Sequence, residues 1–212
     1  MAHIELAPDL LQPSFTRLVT ATVREASSDV AVCELPDGTS ARLPVTAFYP
    51  NRSWSVGGTY HLAVSDGAGS PVLSAAAPEL ISMLLDGLSP EVRDGRVRVM
   101  AVARQVGVRS KVAVAATVPG VDPVGACLGR AANRIKALSA MLLGERVDVV
   151  AYHPDPVRFL ANALAVVPES VETTDEGFQV HVPRHQLTAA KGGGNLNVVL
   201  ASRLLGTRIE VL

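Results

Sequence analysis

The chain is predicted to be an α+β protein of several domains, a small all-β barrel followed by two copies of one helix–loop–helix–strand unit. Three observations predict it. The tail repeats itself: Leu142-Leu143-Gly144-Glu145-Arg146-Val147-Asp148-Val149-Val150 returns 62 positions later as Leu204-Leu205-Gly206-Thr207-Arg208-Ile209-Glu210-Val211-Leu212. A glycine-led loop precedes each copy, Gly129-Arg130-Ala131-Ala132 and then Gly192-Gly193-Gly194-Asn195. Ahead of both repeats, from Leu18 to about Ser74, the text is strand and turn throughout. Self-similarity of this kind marks a duplicated supersecondary unit.

Residues 1–14 read as a flexible lead and residues 15–77 as the barrel. Val19, Ala21 and Val23 alternate with Thr20, Thr22 and Arg24, the period of a half-buried strand. Val30-Ala31-Val32-Cys33 follows, with a turn at Pro36-Asp37-Gly38. Ala41 and Leu43, then Tyr60, Leu62 and Val64, then Val72-Leu73 supply three more strands, with Gly67-Ala68-Gly69-Ser70 as a hairpin turn. Five short strands of this spacing predict an OB-type barrel. Residues 78–95 hold a short helix from Pro78 to Asp86, with Leu80, Met83 and Leu84 on one stripe, and a linker from Gly87 to Gly95.

The first repeat fills residues 96–167. Val97–Val102 and Lys111–Ala116 read as strands, Pro123–Leu128 as a short helix, and Asn133–Leu143 as a longer one with Ile135, Leu138 and Leu142 at helical spacing. Gly144 is the helix stop and Val147–Val150 the closing strand. Asp155-Pro156 opens a further helix to about Val166, Asp155 as N-cap and Pro156 in the first turn. The second repeat fills residues 168–212: a strand at Gly177–Val182, helices at Arg184–Ala190 and Asn195–Leu205, and a last strand at Thr207–Val211.

Composition narrows the function. With 212 residues, 48% of them hydrophobic, more than one core can be buried. No apolar run reaches the roughly 20 residues of a membrane span, and Met1-Ala2-His3-Ile4-Glu5 lacks the basic and apolar regions of a signal peptide, so a cytoplasmic protein is expected. Cys33 and Cys127 fall in different domains and read as two buried thiols. The net charge is only −1, but residues 1–95 carry 11 acidic and 5 basic groups while residues 96–167 carry 4 and 10. A basic block confined to the first repeat is the footprint that phosphate contacts require, or else a solvated surface. Arginine outnumbers lysine 16 to 3, which suits phosphate but also fits a GC-rich genome.

The order glycine loop, amphipathic helix, glycine stop and short strand is how a KH nucleic-acid-binding module is built. Two such units predict tandem type II KH domains. A KH module seats about four nucleotides of single-stranded nucleic acid beside a G-x-x-G loop. Glycine lets the backbone approach sugar-phosphate without a Cβ in the way, and the following helix aims free N–H groups at the phosphates. Both loops depart from the motif at its second glycine. Ala132 stands there in the first loop, at a cost of about 1–2 kcal/mol if φ is positive, and Asn195 in the second, where left-handed geometry is better tolerated. Arg130, Arg134 and Lys136 surround the first loop; only Lys191 stands beside the second. The first module is therefore expected to bind RNA and the second to extend or orient the groove. A plain helix–helix connector is the other reading of either loop. In the barrel, Phe48, Tyr49 and Trp54 form the one dense aromatic cluster, with Arg42 and Arg52 as the nearby cations. These rings either stack on bases, at ~1–3 kcal/mol each, or plug the barrel end.

From Val97 through Ala165 the text resembles the KH region of the bacterial NusA family of transcription elongation factors. The carrying residues are Arg109-Ser110-Lys111-Val112-Ala113-Val114, Val121-Asp122-Pro123-Val124-Gly125-Ala126-Cys127-Leu128-Gly129, and Asp155-Pro156 followed by Phe159-Leu160-Ala161-Asn162-Ala163-Leu164. Pro71-Val72-Leu73-Ser74 and Val182-Pro183, Gln186-Leu187, Gly192 and Asn197 extend the resemblance to the family's barrel and second KH domain. It implies a regulator of elongation, termination or antitermination that binds single-stranded RNA, with RNA polymerase or other transcription factors as further partners. The family's N-terminal polymerase-docking domain has no counterpart in residues 1–14, so a shortened paralogue is expected. With the loop reading, the RNA-binding candidates are Arg109, Lys111, Gly129, Arg130, Ala131, Ala132, Asn133, Arg134, Lys136, Lys191, Gly192, Gly193, Gly194, Asn195 and Asn197. The competing reading is a protein-interaction module of the transcription machinery that kept the fold and lost RNA affinity.

No enzyme and no cofactor are expected. The five histidines show no metal-ligand spacing and no paired nucleophile. Gly192-Gly193-Gly194 lacks the Lys-Ser/Thr that completes a phosphate-binding P-loop.

Overall fold

The computed structural model describes residues 15–50, 52–65 and 71–212. The lead at 1–14 and the hairpin turn expected at Gly67–Ser70 lie outside the described residues. The chain divides into two compact units, Met1–Leu80 and Ile81–Leu212.

The first unit is a closed five-stranded barrel of β1 (Arg17–Ala26), β2 (Val30–Glu34), β3 (Ser40–Pro44), β4 (Thr59–Ser65) and β5 (Val72–Ser74). Its strands run in the order β1-β2-β3-β5-β4, with β4 returning to β1. Alternation decides what faces inward: Val19, Ala21 and Val23 are buried while Thr20 and Arg24 are exposed. Ala41, Leu43, Leu62, Val64 and Leu73 complete the interior. Gly38 carries the β2–β3 turn at φ 82°, closed by Asp37 Oδ1 accepting from Thr39 N at 2.9 Å. The OB-type barrel expected from the strand pattern is present.

Helix α1 (Glu79–Leu88) begins at the unit boundary and buries Leu80, Ile81, Leu84 and Leu85. The expected linker after it contains a short helix α2 (Pro90–Arg93) with Pro90 in its first turn. Two sheets then repeat one topology. In the first, β6 (Val97–Gln105) pairs antiparallel with β7 (Arg109–Ala116), and β7 pairs parallel with β8 (Arg146–Ala151). Helices α3 (Pro123–Leu128) and α4 (Asn133–Met141) make the crossover. After α5 (Pro156–Leu164), β9 (Ser170–Thr174) pairs antiparallel with β10 (Gly177–His181) and β10 parallel with β11 (Arg208–Val211), with α6 (Leu187–Lys191) and α7 (Leu196–Leu205) between. Asp155 caps α5 as its sequence position requires, accepting from Val157 N at 2.9 Å and Arg158 N at 3.2 Å. Among the described residues no helix is long and apolar enough to cross a membrane.

The central strand β7 is buried on both faces, which explains its unbroken apolar run from Val112 to Val114. One face meets α3. The other presents Ala113, with Ala103 and Val150, to a core shared with Leu160 and Leu164 of α5 and with Val180, Leu200 and Leu204 of the second repeat. Helix α7 lies across β6 and β7, and Arg203 Nη1 donates to Arg104 O at 3.2 Å. The β6–β7 turn is pinned from below. Glu145, wholly buried, accepts from Arg104 Nε at 2.8 Å and Nη2 at 2.9 Å, from Gly107 N at 2.8 Å and from Ser110 Oγ at 2.5 Å. Four donors satisfy a carboxylate whose desolvation would otherwise be prohibitive. Cys33 and Cys127 are buried free thiols, and burial pushes each up to about 11.

Candidate nucleic-acid interface

The two glycine loops trace the same backbone path. Gly129 stands at φ 70°, ψ 174° and Gly192 at φ 67°, ψ 173°. Two positions further on, Ala131 lies at φ 51°, ψ 30° and Gly194 at φ 59°, ψ 29°. The last positions, Ala132 at φ 59°, ψ 29° and Asn195 at φ 60°, ψ 13°, are left-handed too. These angles explain the spelling. The first position sits in a region that only glycine occupies freely. The final two are left-handed, where asparagine is tolerated and alanine is strained. The sequence predicts one strained alanine in the first loop, at Ala132; the structure has two, Ala131 and Ala132.

Each loop is closed by one internal bond, Ala132 N to Gly129 O at 3.1 Å and Asn195 N to Gly192 O at 3.3 Å. The N–H groups of Arg130 and Ala131, and of Gly193 and Gly194, have no acceptor among the described residues. A right-handed residue followed by a left-handed one turns successive N–H groups into one concavity, the geometry that cradles anions. Asn133 follows the first loop as the exposed first residue of α4.

The basic block of the first repeat sorts into spent and available charge. Arg96 pairs with Asp94, Arg104 with Glu145, Arg109 and Lys111 with Asp148, and Arg134 with Glu91. Arg98, Arg130, Lys136, Arg146 and Arg158 are exposed and have no carboxylate partner among the described residues. Lys136 Nζ donates to Ala131 O at 3.2 Å, so it braces the loop from outside.

Several expected contacts are corrected by burial. Lys111 is 1% exposed with Nζ 3.3 Å from Asp148, and desolvation lowers its pKa despite that partner. It cannot reach a phosphate. Arg109 is also committed to Asp148, Nε to Oδ2 at 2.7 Å, though it stays partly open. Asn197 is 2% exposed, its amide donating to Leu164 O and Ala190 O. Arg134 is half-buried, donating to Glu91 and to Ala126 O. In the barrel, Phe48 and Tyr49 are buried. Phe48 packs on Tyr49, Trp54 and Tyr60 with centroids at 5.3, 5.5 and 5.1 Å. Burial leaves Phe48 and Tyr49 no open face for a base, while Trp54 is half-buried and Arg42 and Arg52 are exposed.

The second repeat offers more than its sequence promised. A groove of about 510 Å³ opens beside its loop between α7 and the edge strand β11. Val198, Val199, Ile209 and Val211 give it apolar walls, and the cations Lys191, Arg203 and Arg208 line it together with one carboxylate, Glu210, next to Asn195. Arg208 is shared with Glu176. Lys191 has no acidic partner among the described residues. Sequence spacing could not show that Arg203, 11 residues beyond Gly192, returns to this groove.

Comparison with known proteins agrees with this geometry. Residues 75–152 match the NusA-like first KH domain. The chain is 39% identical over 178 residues to the transcription termination/antitermination protein NusA of Mycobacterium tuberculosis, covering 80% of this chain and 51% of that protein. It is 36% identical to NusA of Bacillus subtilis over 81% of this chain and 48% of the relative. For NusA of Thermus thermophilus the identity is 39%, over 81% and 45%. The chain thus spans about half the length of the curated relatives it matches. Over four fifths of its length the chain is similar to NusA proteins, and residues 75–152 match the model of their first KH domain.

Proposed function

We propose that the chain regulates transcription termination or antitermination by holding single-stranded RNA on two KH modules, the second repeat being the second. One observation carries the reading: the same backbone path occurs twice, each time with two N–H groups free to meet phosphate and an unpaired cation beside them, Arg130 or Lys191. The second groove supplies apolar walls for bases. The even charge balance is no obstacle, because the available cations are local and the acidic groups of the first 95 residues lie elsewhere in the sequence. RNA polymerase or another transcription factor is the proposed protein partner, testable by pull-down with purified polymerase.

The experiment is a salt titration of binding to a labelled single-stranded RNA. The affinity should fall with salt with a slope of about 0.7 per phosphate contacted. Arg130→Glu and Lys191→Glu should each weaken binding and flatten that slope. Absence of salt-sensitive binding in the unaltered protein would overturn the proposal.

A further inference from the structure

In both repeats the side chain five positions beyond the loop's first glycine turns inward and does the same three things. First, it donates to a carbonyl near the end of the helix before the loop: Arg134 Nη1 to Ala126 O, and Asn197 Nδ2 to Ala190 O at 2.8 Å. Such end carbonyls lack an intrahelical partner, so a donor there stabilises the helix terminus. Second, it reaches an element that precedes the module. Arg134 pairs with Glu91 of α2 at 2.8 Å, and Asn197 donates to Leu164 O of α5 at 3.0 Å. Ser89 Oγ, 3.0 Å from Glu91 and 3.2 Å from Ala126 O, completes the first set. Third, it lies directly under the loop's first glycine. A Cβ on Gly129 would stand 2.6 Å from Arg134 Cγ, and one on Gly192 would stand 3.0 Å from Asn197 Cβ.

A guanidinium in one repeat and an amide in the other share one geometry, so the common feature is the job and not the residue type. We propose that Arg134 and Asn197 are positioning residues. Each fastens the two helices flanking its loop to the helix that precedes the module, and so presets the paired N–H groups without touching RNA itself. The functional half of this rests on the RNA-binding reading above; the conformational half does not.

The test uses the full chain with Arg134→Met, Arg134→Lys, Glu91→Gln and Asn197→Ala, read in two ways. Without RNA, exchange of the hydrogen-bonded amides that shape the loops, Gly129 and Ala132 in the first and Gly192 and Asn195 in the second, should quicken about tenfold or more in Arg134→Met and Asn197→Ala, each in its own loop, as expected for one lost buried or charge-assisted bond. Arg134→Lys, which keeps a donor to Glu91, should restore much of the protection, and Glu91→Gln should lose less than Arg134→Met. With a single-stranded RNA oligonucleotide, Arg134→Met should weaken binding at every salt concentration while leaving the salt slope unchanged, in contrast to Arg130→Glu. Unchanged loop exchange in both Arg134→Met and Asn197→Ala overturns the proposal. So does a salt slope that drops by about 0.7 in Arg134→Met, since that marks a phosphate contact. If the unaltered protein binds no RNA, the functional reading fails, and the exchange measurement alone still decides whether these residues set the loops.

Discussion

Replacing Ala131 with glycine should make this protein more stable. Ala131 is exposed at φ 51°, so its methyl group contributes little packing and much backbone strain. A left-handed L-residue costs about 1–2 kcal/mol. Glycine gives back about 0.4–1 kcal/mol of that through the greater freedom of its unfolded chain. The difference is a net gain of about 0.5–1 kcal/mol. For a unit the size of Ile81–Leu212, 1 kcal/mol moves Tm by about 3–4 °C, so a rise of about 2–4 °C is expected. The second loop supplies the mirror experiment. Gly194 has nearly the same angles and no atom within 4 Å of where a Cβ would stand, so Gly194→Ala should lower Tm by a comparable amount through the backbone alone. Scanning calorimetry and chemical denaturation measure both. A fall in stability for Ala131→Gly, or no loss for Gly194→Ala, would refute the left-handed path on which the interface is built.

Glu145→Ala should destabilise the second unit by about 3–5 kcal/mol in denaturant unfolding, because it strands buried Arg104 without its partner. Lys111→Met should be neutral or stabilising and should leave RNA affinity and its salt slope unchanged, as expected for a buried pair still covered by Arg109. Phe48→Ala should cost the barrel about 3–5 kcal/mol, read as an early loss of barrel structure on heating. Glu91 is held below its ordinary carboxylate pKa by its own backbone N–H, with Ser89 and Arg134 adding to the effect. Its contribution is therefore present at neutral pH and is lost as pH falls through the depressed value. The stability gap between the parent and Glu91→Gln should close on acidification, and a gap that widens would contradict the Arg134 contact.

The barrel was legible because its strands alternate strictly, and α5 because Asp155-Pro156 is a start signal with little ambiguity. Strand β9 was not legible: Ser-Val-Glu-Thr-Thr is a polar edge strand whose only half-buried side chain is Val171. The Pro and Gly content of residues 87–95 suggests a linker but describes a one-turn helix equally well, and α2 lies there. The glycine loops were found from spacing, but their angles were not, since alanine gives no sign in sequence that it stands left-handed. The cations misled for a different reason. Arg134 and Glu91 are 43 residues apart, and Lys111 and Asp148 are 37 apart. A one-dimensional charge count credits such residues to the surface, and only the fold shows that they are neutralised inside.

The core shared across the two repeats sets how this protein can be dissected. A fragment ending at residue 152, where the family match stops, would leave Ala103, Ala113 and Val150 facing water on an uncovered sheet. The complementary piece would bare Leu200 and Leu204 on α7. Recombinant halves would be sticky and poorly soluble, however natural the boundary looks in an alignment. The tandem is one engineering block, to be transplanted, truncated or duplicated only as a whole.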